Sequence, residues 1–274
     1  MKTISKVFDG LVAAGLIGGA APAFAAPALT FTDDVYGTRT IDPFTGIDWS
    51  PTASAVTTNY LPDGTTVATT TFLASAIGIT TADGGIAFTP GLSANGDAGA
   101  FEFTVLATIY ETATLSGTTA SFTAIGGTFN IYYDSTADSN RTTGTGFIDG
   151  TRIIGGTINP GYAGQFTGDG INGTGNFTFF GTVTFTETDS NKDAYIDPVL
   201  VASNAVATLQ LGTNTTSGWT APTAWTEGGG LPAGAIIFQA DGNQGFSTVP
   251  EPGTLALLGL GLLGLARRSL GRKG

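Results

Sequence analysis

The sequence predicts an all-β protein built from antiparallel strands, and three observations lead to that prediction. Apolar and polar residues alternate over several stretches, the residues in those stretches are mainly Thr, Val, Ile, Phe and Tyr, and glycine-rich turns separate them. No amphipathic helical pattern of useful length interrupts them. Since one-sided alternation is typical of sheets with one face on a core, we expect two antiparallel sheets packed as a β-sandwich, with a jelly roll as one such arrangement. A single-sheet solenoid is the alternative, but no fixed repeat period supports it.

The clearest strand prediction covers residues 100–115, where Phe101, Phe103 and Val105 share one face with Ala107 and Ile109. Shorter alternating stretches lie at residues 129–133, 177–186, 205–211 and 235–238, with further candidates near 66–73, 86–89, 119–125 and 152–158.

Composition excludes several classes of site. The 274 residues include no His and no Cys, so a Ser-His-Asp triad, a thiolate nucleophile and a zinc ribbon are impossible. Residues 26–248 hold 19 acidic and four basic residues, a net charge of −15, so no nucleic-acid partner is expected. What remains is carboxylate and hydroxyl chemistry, and we expect a protein that is not an enzyme.

The N-terminal residues 1–25 resemble a secretory signal peptide. Lys2 and Lys6 precede an apolar, small-residue run at 10–24, and Ala23 and Ala25 form the small-x-small pattern that signal peptidase cleaves. The alternative is a buried helix of the mature domain. We expect cleavage after Ala25, which leaves residues 26–248 as the β-domain.

Residues 249–274 form a third segment. Pro250, Glu251 and Pro252 precede an apolar Leu/Gly run at 255–266, and Arg267 and Arg268 follow it. A helix of about 13 residues spans roughly 20 Å, less than the ~30 Å hydrocarbon core of a bilayer. We therefore expect a short transmembrane helix that holds the inner membrane only transiently, with its basic end in the cytoplasm.

This segment resembles the PEP-CTERM sorting signal. The resemblance implies processing by an exosortase, with Pro250, Glu251 and Pro252 as the recognition element and Arg267 and Arg268 as the stop signal. The alternative is a plain C-terminal membrane anchor. Export through the inner membrane, followed by release to the matrix or the cell surface after C-terminal processing, is the expected localisation.

The β-domain also resembles flocculation-associated PEP-CTERM proteins. The resemblance is carried by residues 46–49 (GIDW), 129–134, 144–150 (GTGFIDG), 181–186 (GTVTFT) and 239–247 (QADGNQGFS). It implies a secreted, non-enzymatic matrix protein that associates with exopolysaccharide and promotes floc or biofilm formation.

One acidic stretch has the spacing of a calcium loop. Asp189, Asn191, Asp193 and Asp197 place oxygen atoms at relative positions 1, 3, 5 and 9, whereas Ala194 and Leu200 replace the glycine and the bidentate glutamate of that loop. Calcium is therefore the one candidate cofactor, and a calcium-dependent adhesin is a candidate function. The alternative is that this stretch is a polar loop between strands that binds no metal.

Other candidate sites have a plainer interpretation beside the functional one. Glu102 and Glu111 could form the carboxylate pair of a secreted carbohydrate-active enzyme, but their odd spacing puts them on opposite faces of a regular strand, so a pair would need a bulge. Asp134 and Asp138 have the spacing of turn acids. Three tryptophans lie in loop-like stretches that contain proline, and they are candidates for stacking on sugar rings or for plugging loops over the core: Trp49, Trp219 and Trp225.

Overall fold

Strands make up the regular structure of the residues that the computed structural model describes: 29–33, 39–42, 44–80, 86–87, 101–168, 173–186, 195–197, 200, 206–213 and 219–247. In chain order the strands are β1 (Thr30–Asp33), β2 (Arg39–Ile41), β3 (Gly46–Thr58), β4 (Asp63–Thr80), β5 (Ile86–Ala87), β6 (Glu102–Ser116), β7 (Thr119–Asp134), β8 (Thr151–Ile158), β9 (Ala163–Gly168), β10 (Gly173–Thr186), β11 (Ile196–Asp197), β12 (Val206–Thr213) and β13 (Ile236–Ser247). All pairings between these strands are antiparallel, which confirms the predicted class.

Ten of the strands form one sheet that closes on itself. Along the sheet β3, β4, β6 and β7 are neighbours in chain order, and β10, β12 and β13 follow. The last of these, β13, pairs with β3, where Phe238 lies opposite Ala55. A ring of eight antiparallel positions results, in which β8 and β9 together occupy the position between β7 and β10.

Two short strands share one position of the ring. The first half of β7 pairs with β9 and its second half pairs with β8. Likewise, the first half of β10 pairs with β9 and its second half pairs with β8. The two strands therefore act as one long strand, which residues 159–162 interrupt.

The prediction of two separate sheets packed as a sandwich is wrong. The residues expected on two inner faces lie instead on the inner surface of one continuous sheet, because the last strand, β13, pairs with β3 and closes the sheet. Closure removes the free edges that so large a sheet would otherwise expose.

One end of the ring is filled with aromatic side chains. A small second sheet, in the order β11–β1–β2, lies there and places Phe31 against inward-facing residues of β6 and β7. The ring of Phe31 lies 4.9 Å from that of Phe103 and 5.1 Å from that of Tyr133, and the Tyr133 hydroxyl donates to Asp33 at 2.5 Å. We call this the filled end.

A second layer covers part of the outside of the ring. Two connections, 135–150 and 219–235, meet over β3, β4 and β6, where Phe147 and Trp225 pack on Val56 and Leu73. Glu227 joins the two connections, since its carboxylate accepts hydrogen bonds from the backbone N–H groups of Gly146 (3.0 Å) and Phe147 (2.6 Å). These segments form the outer layer.

Candidate functional site

A cavity of about 410 Å³ occupies the ring at the end opposite the small sheet. Inward-facing residues of β3, β4, β6, β7, β9, β10 and β13 line it, so the alternation of each strand decides which side chains reach it. We call this the open end. Its volume lies within the range of ligand pockets.

Two of the connections at the open end are short. Residues 59–62 join β3 to β4, and only Gly117 and Thr118 join β6 to β7. Gly117 has a φ of 61°, a conformation that glycine adopts at no steric cost, so this turn reverses the chain in two residues. Turns this short cannot themselves fold over the mouth of the ring. The described part of the longer β12–β13 connection, residues 219–235, belongs to the outer layer over β3, β4 and β6.

The cavity wall is mainly aromatic. The ring of Phe122 lies 6.0 Å from that of Tyr60 and 5.3 Å from that of Phe177, which stacks on Phe179 at 6.1 Å. Gly164 makes room for this wall, because a Cβ atom there would collide with the ring of Phe177. Leu115 and Ile236 form the apolar rim of the cavity, where their side chains are 55% and 37% exposed to solvent.

One carboxyl group lies in this apolar surrounding. Glu111 of β6 lines the cavity, although only 3% of its surface is exposed. Burial raises the pKa of Glu111 to about 7, and the single hydrogen bond from Thr70 offsets only part of that effect. The charge of Glu111 in turn adds to burial in raising the pKa of Tyr60.

A chain of hydroxyl groups orients that carboxyl. Thr70 Oγ1 donates to Glu111 Oε1 at 2.6 Å, and Thr57 Oγ1 lies 2.6 Å from Thr70 Oγ1. Because a hydroxyl has one proton, Thr57 must donate to Thr70 while Thr70 donates to the carboxylate. Within the described residues, Oε2 of Glu111 has no such partner, so this oxygen is available to a ligand.

Glu102 has a different environment at the other end of β6. Its carboxylate accepts hydrogen bonds from the backbone N–H groups of Asp138 (3.0 Å) and Ser139 (2.9 Å), and from the Ser139 hydroxyl at 2.5 Å. Burial raises the pKa of Glu102, and these hydrogen bonds oppose that change. Its role is to hold the outer layer on the sheet.

The carboxylate pair considered for an enzyme does not form. Glu111 faces the cavity, whereas Glu102 faces the outer layer, as the odd spacing predicted. Glu111 follows Glu102 by nine residues along the strand, roughly 30 Å, which is far beyond the ~5–9.5 Å that glycoside hydrolysis requires.

The tryptophans are placed as plugs rather than as a sugar-stacking surface. Trp49 lies within β3 and not in a loop, and it is fully buried. Trp225 is 1% exposed and donates from Nε1 to Thr71 Oγ1 at 2.7 Å. Trp219 is half-buried and donates to Ser54 Oγ at 3.1 Å.

Most of the predicted calcium stretch lies outside the described residues. This holds for Asp189, Asn191 and Asp193, whereas Asp197 ends β11 with an exposed side chain opposite Thr30. Leu200, which stands where a calcium loop has its bidentate glutamate, is fully buried in the core. The calcium prediction therefore remains untested by the structure.

A different acidic cluster lies beside the outer layer. Carboxylate oxygens of Asp134, Asp138 and Asp149 lie within 4.8 Å of one another and could hold a hard cation. The turn prediction also has support at Asp134, whose Oδ1 accepts the N–H of Thr136 at 2.8 Å. Asp149 could not be predicted from the sequence as a member of this cluster, because only folding of the 135–150 connection brings it to the other two.

The comparisons with known proteins concern the C-terminal segment. Residues 248–273 match the family model for the PEP-CTERM protein-sorting motif. The chain carries a PEP-CTERM sorting motif. This motif implies processing by an exosortase, and PEP-CTERM proteins are exported and sorted to the cell surface. No curated protein and no solved structure matches the chain significantly.

The two terminal signals are predictions that the structure does not describe. Ala23 and Ala25, the PEP residues Pro250, Glu251 and Pro252, and the basic pair Arg267 and Arg268 all lie outside the described residues. Among the residues that are described, no helix has the length and apolar character needed to cross a membrane.

Proposed function

We propose that this chain is a secreted, non-enzymatic matrix protein which an exosortase sorts and which associates with exopolysaccharide to promote floc or biofilm formation. The observation that carries the proposal is the PEP-CTERM motif at residues 248–273. The resemblance of the β-domain to flocculation-associated proteins supplies the matrix role.

An uncovered polar face supports association with a polysaccharide. The outer side of β8, β9 and β10 lies away from the outer layer, and cross-strand neighbours there are Thr157 with Thr182, Gln165 with Asn176, and Thr167 with Thr174. All six side chains are exposed. Rows of hydroxyl and amide groups can exchange hydrogen bonds with sugar hydroxyls, and we call these six residues the polar face.

Sorting is tested by replacing the PEP residues. In the source bacterium, the triple variant Pro250→Ala, Glu251→Ala and Pro252→Ala should stay in the membrane fraction at its unprocessed C-terminal mass. The unaltered chain should reach the medium or the cell surface as a shorter product, which mass spectrometry would identify. Equal processing of both chains would contradict exosortase sorting.

The matrix role is tested in a deletion strain. Cells without the protein should settle more slowly and form smaller flocs, and the unaltered gene should restore them. The variant Gln165→Ala with Asn176→Ala should co-sediment less with purified exopolysaccharide, whereas Thr220→Ala, exposed on the outer layer, should behave as the unaltered chain. Normal flocculation of the deletion strain would overturn the proposal.

A further inference from the structure

The open-end cavity has the construction of a ligand site, and neither sorting nor polysaccharide association uses it. The filled end shows how the same ring is packed when its interior is needed only for stability, with aromatic rings 4.9–6.1 Å apart. At the open end the strands instead enclose about 410 Å³ with an exposed apolar rim.

A buried carboxyl in such a cavity needs a partner. Leaving a carboxylate in apolar surroundings costs free energy unless an opposite charge or several hydrogen bonds compensate it. Glu111 has one hydrogen bond, from Thr70, and none of the described residues that line the cavity is basic. The second oxygen of Glu111 is therefore free to bind a cationic or hydrogen-bond-donating group of a ligand.

The rest of the wall favours a cation on an apolar body. Tyr60, Phe122, Phe177 and Phe179 line the cavity, and aromatic rings can attract organic cations. The formal net charge of −11 also attracts cations and repels anions. A fatty-acid-like anion would instead meet the carboxylate of Glu111 with like charge.

We propose that the open-end cavity binds a small, largely apolar amine, with its ammonium group on Glu111 and its apolar body against the aromatic wall. Thr57 and Thr70 position the carboxyl for this contact, and Leu115 and Ile236 form the entrance.

Competition between three probes of equal chain length tests the proposal. The full chain is titrated with the fluorescent dye N-phenyl-1-naphthylamine, which is then displaced by octylamine, octanol or octanoate. Octylamine should displace the dye at the lowest concentration and octanoate at the highest. Equal potency of octanoate and octylamine, or no displacement by any of them, would overturn the proposal.

Two variants and one matched control locate the binding. Glu111→Gln should weaken octylamine binding by roughly 30-fold, the loss expected when one partner of a buried charge pair is removed, and leave octanol almost unchanged. Glu102→Gln, a buried acid on the opposite face of the same strand, should leave both unchanged. Thr118→Trp at the exposed mouth should weaken all binding.

Circular dichroism and thermal melting show whether each variant is folded. If octylamine bound Glu111→Gln as tightly as the unaltered chain, the ammonium contact would be refuted. If dye binding survived Thr118→Trp in full, the dye would lie on another surface, and the cavity proposal would fail. Sorting and flocculation are measured in separate assays, so the result of the ligand-binding test does not depend on the proposed matrix function.

Discussion

The two ends of the ring differ in what fills them, although the same strands build both. At the filled end β6 contributes Phe103, which is fully buried against Phe31 of the small sheet and Phe44. At the open end the same face of β6 contributes Glu111 to a cavity. The difference shows that alternation alone produces an apolar interior, but additional segments of chain decide whether it is closed.

The connections explain why the small sheet lies at one end. The described residues 29–33, 39–42 and 44 precede the start of β3, and residues 195–197 and 200 come between β10 and β12. Both groups therefore lie at the end of the ring where β6 begins. At the other end the turns at 59–62 and 117–118 are too short to enter the ring, and the described residues 219–235 pack on its outside. Stability is therefore concentrated at the filled end, and the open end is available for binding.

The largest expected effect is the loss of an aromatic ring at the filled end. Phe103→Ala should lower the free energy of unfolding by about 3–5 kcal/mol, because Phe31, Phe44, Phe101 and Tyr133 cannot close the resulting space. Leu115→Ala at the rim of the open end is the control, and it should change stability by no more than about 0.5 kcal/mol. Urea unfolding measures both, and equal losses would contradict the division between the ends.

The next effect is a pH dependence that arises at the open end. The pKa of Glu111 rises from an ordinary 4.5 to about 7 on folding, so its contribution to stability is complete below about pH 4.5 and is lost as pH rises through 7. This loss amounts to about 3 kcal/mol, since each pKa unit corresponds to about 1.4 kcal/mol.

Glu111→Gln should remove that part of the pH dependence, whereas Glu102→Gln should retain it. Urea unfolding from pH 4.5 to 8 compares the two variants with the unaltered chain. An unchanged slope in Glu111→Gln would show that this carboxyl is not buried as described.

A smaller effect concerns an unpaired amide inside the ring. Gln244 is 2% exposed, and among the described residues neither atom of its side-chain amide has a hydrogen-bond partner. Gln244→Met keeps the shape and removes the unpaired group, so the free energy of unfolding should rise by about 1–3 kcal/mol.

Gln239 of the same strand is the matched control. It faces outward and donates to the Pro51 carbonyl at 2.6 Å, so Gln239→Met should lower stability by about 1–2 kcal/mol. Thermal melting of both variants measures the contrast, and a loss of stability in Gln244→Met would contradict it.

The strands could be predicted from sequence because alternation acts locally. The stretch predicted at 100–115 is β6 within two residues, the stretch at 177–186 lies in β10, and residues 206–211 of the stretch at 205–211 lie in β12. The opposite faces of Glu102 and Glu111 follow from the same parity. Closure could not be predicted, since strands of a sandwich and of a closed sheet alternate alike and the β13–β3 pairing joins residues far apart in the chain.

Only part of the candidate site could be predicted from the sequence. The inward face of Glu111 and of two phenylalanines of β10 follows from strand alternation, but whether they line a cavity depends on which end of the ring they reach. Trp49 was wrongly placed in a loop, because Pro51 beside it is typical of a turn although β3 continues through it. The acids Asp134 and Asp149 likewise meet only after the outer layer has folded.

The amino-acid sequence by itself determined the strand class, the acidic charge, the lack of histidine and cysteine chemistry, and the PEP-CTERM motif, because each of these is a property of composition or of a short contiguous segment. Only the tertiary structure decided that the sheet closes, that one end is filled, and that Glu111 lies in a cavity. These features depend on pairings and contacts between distant segments, and no local pattern of side chains encodes them.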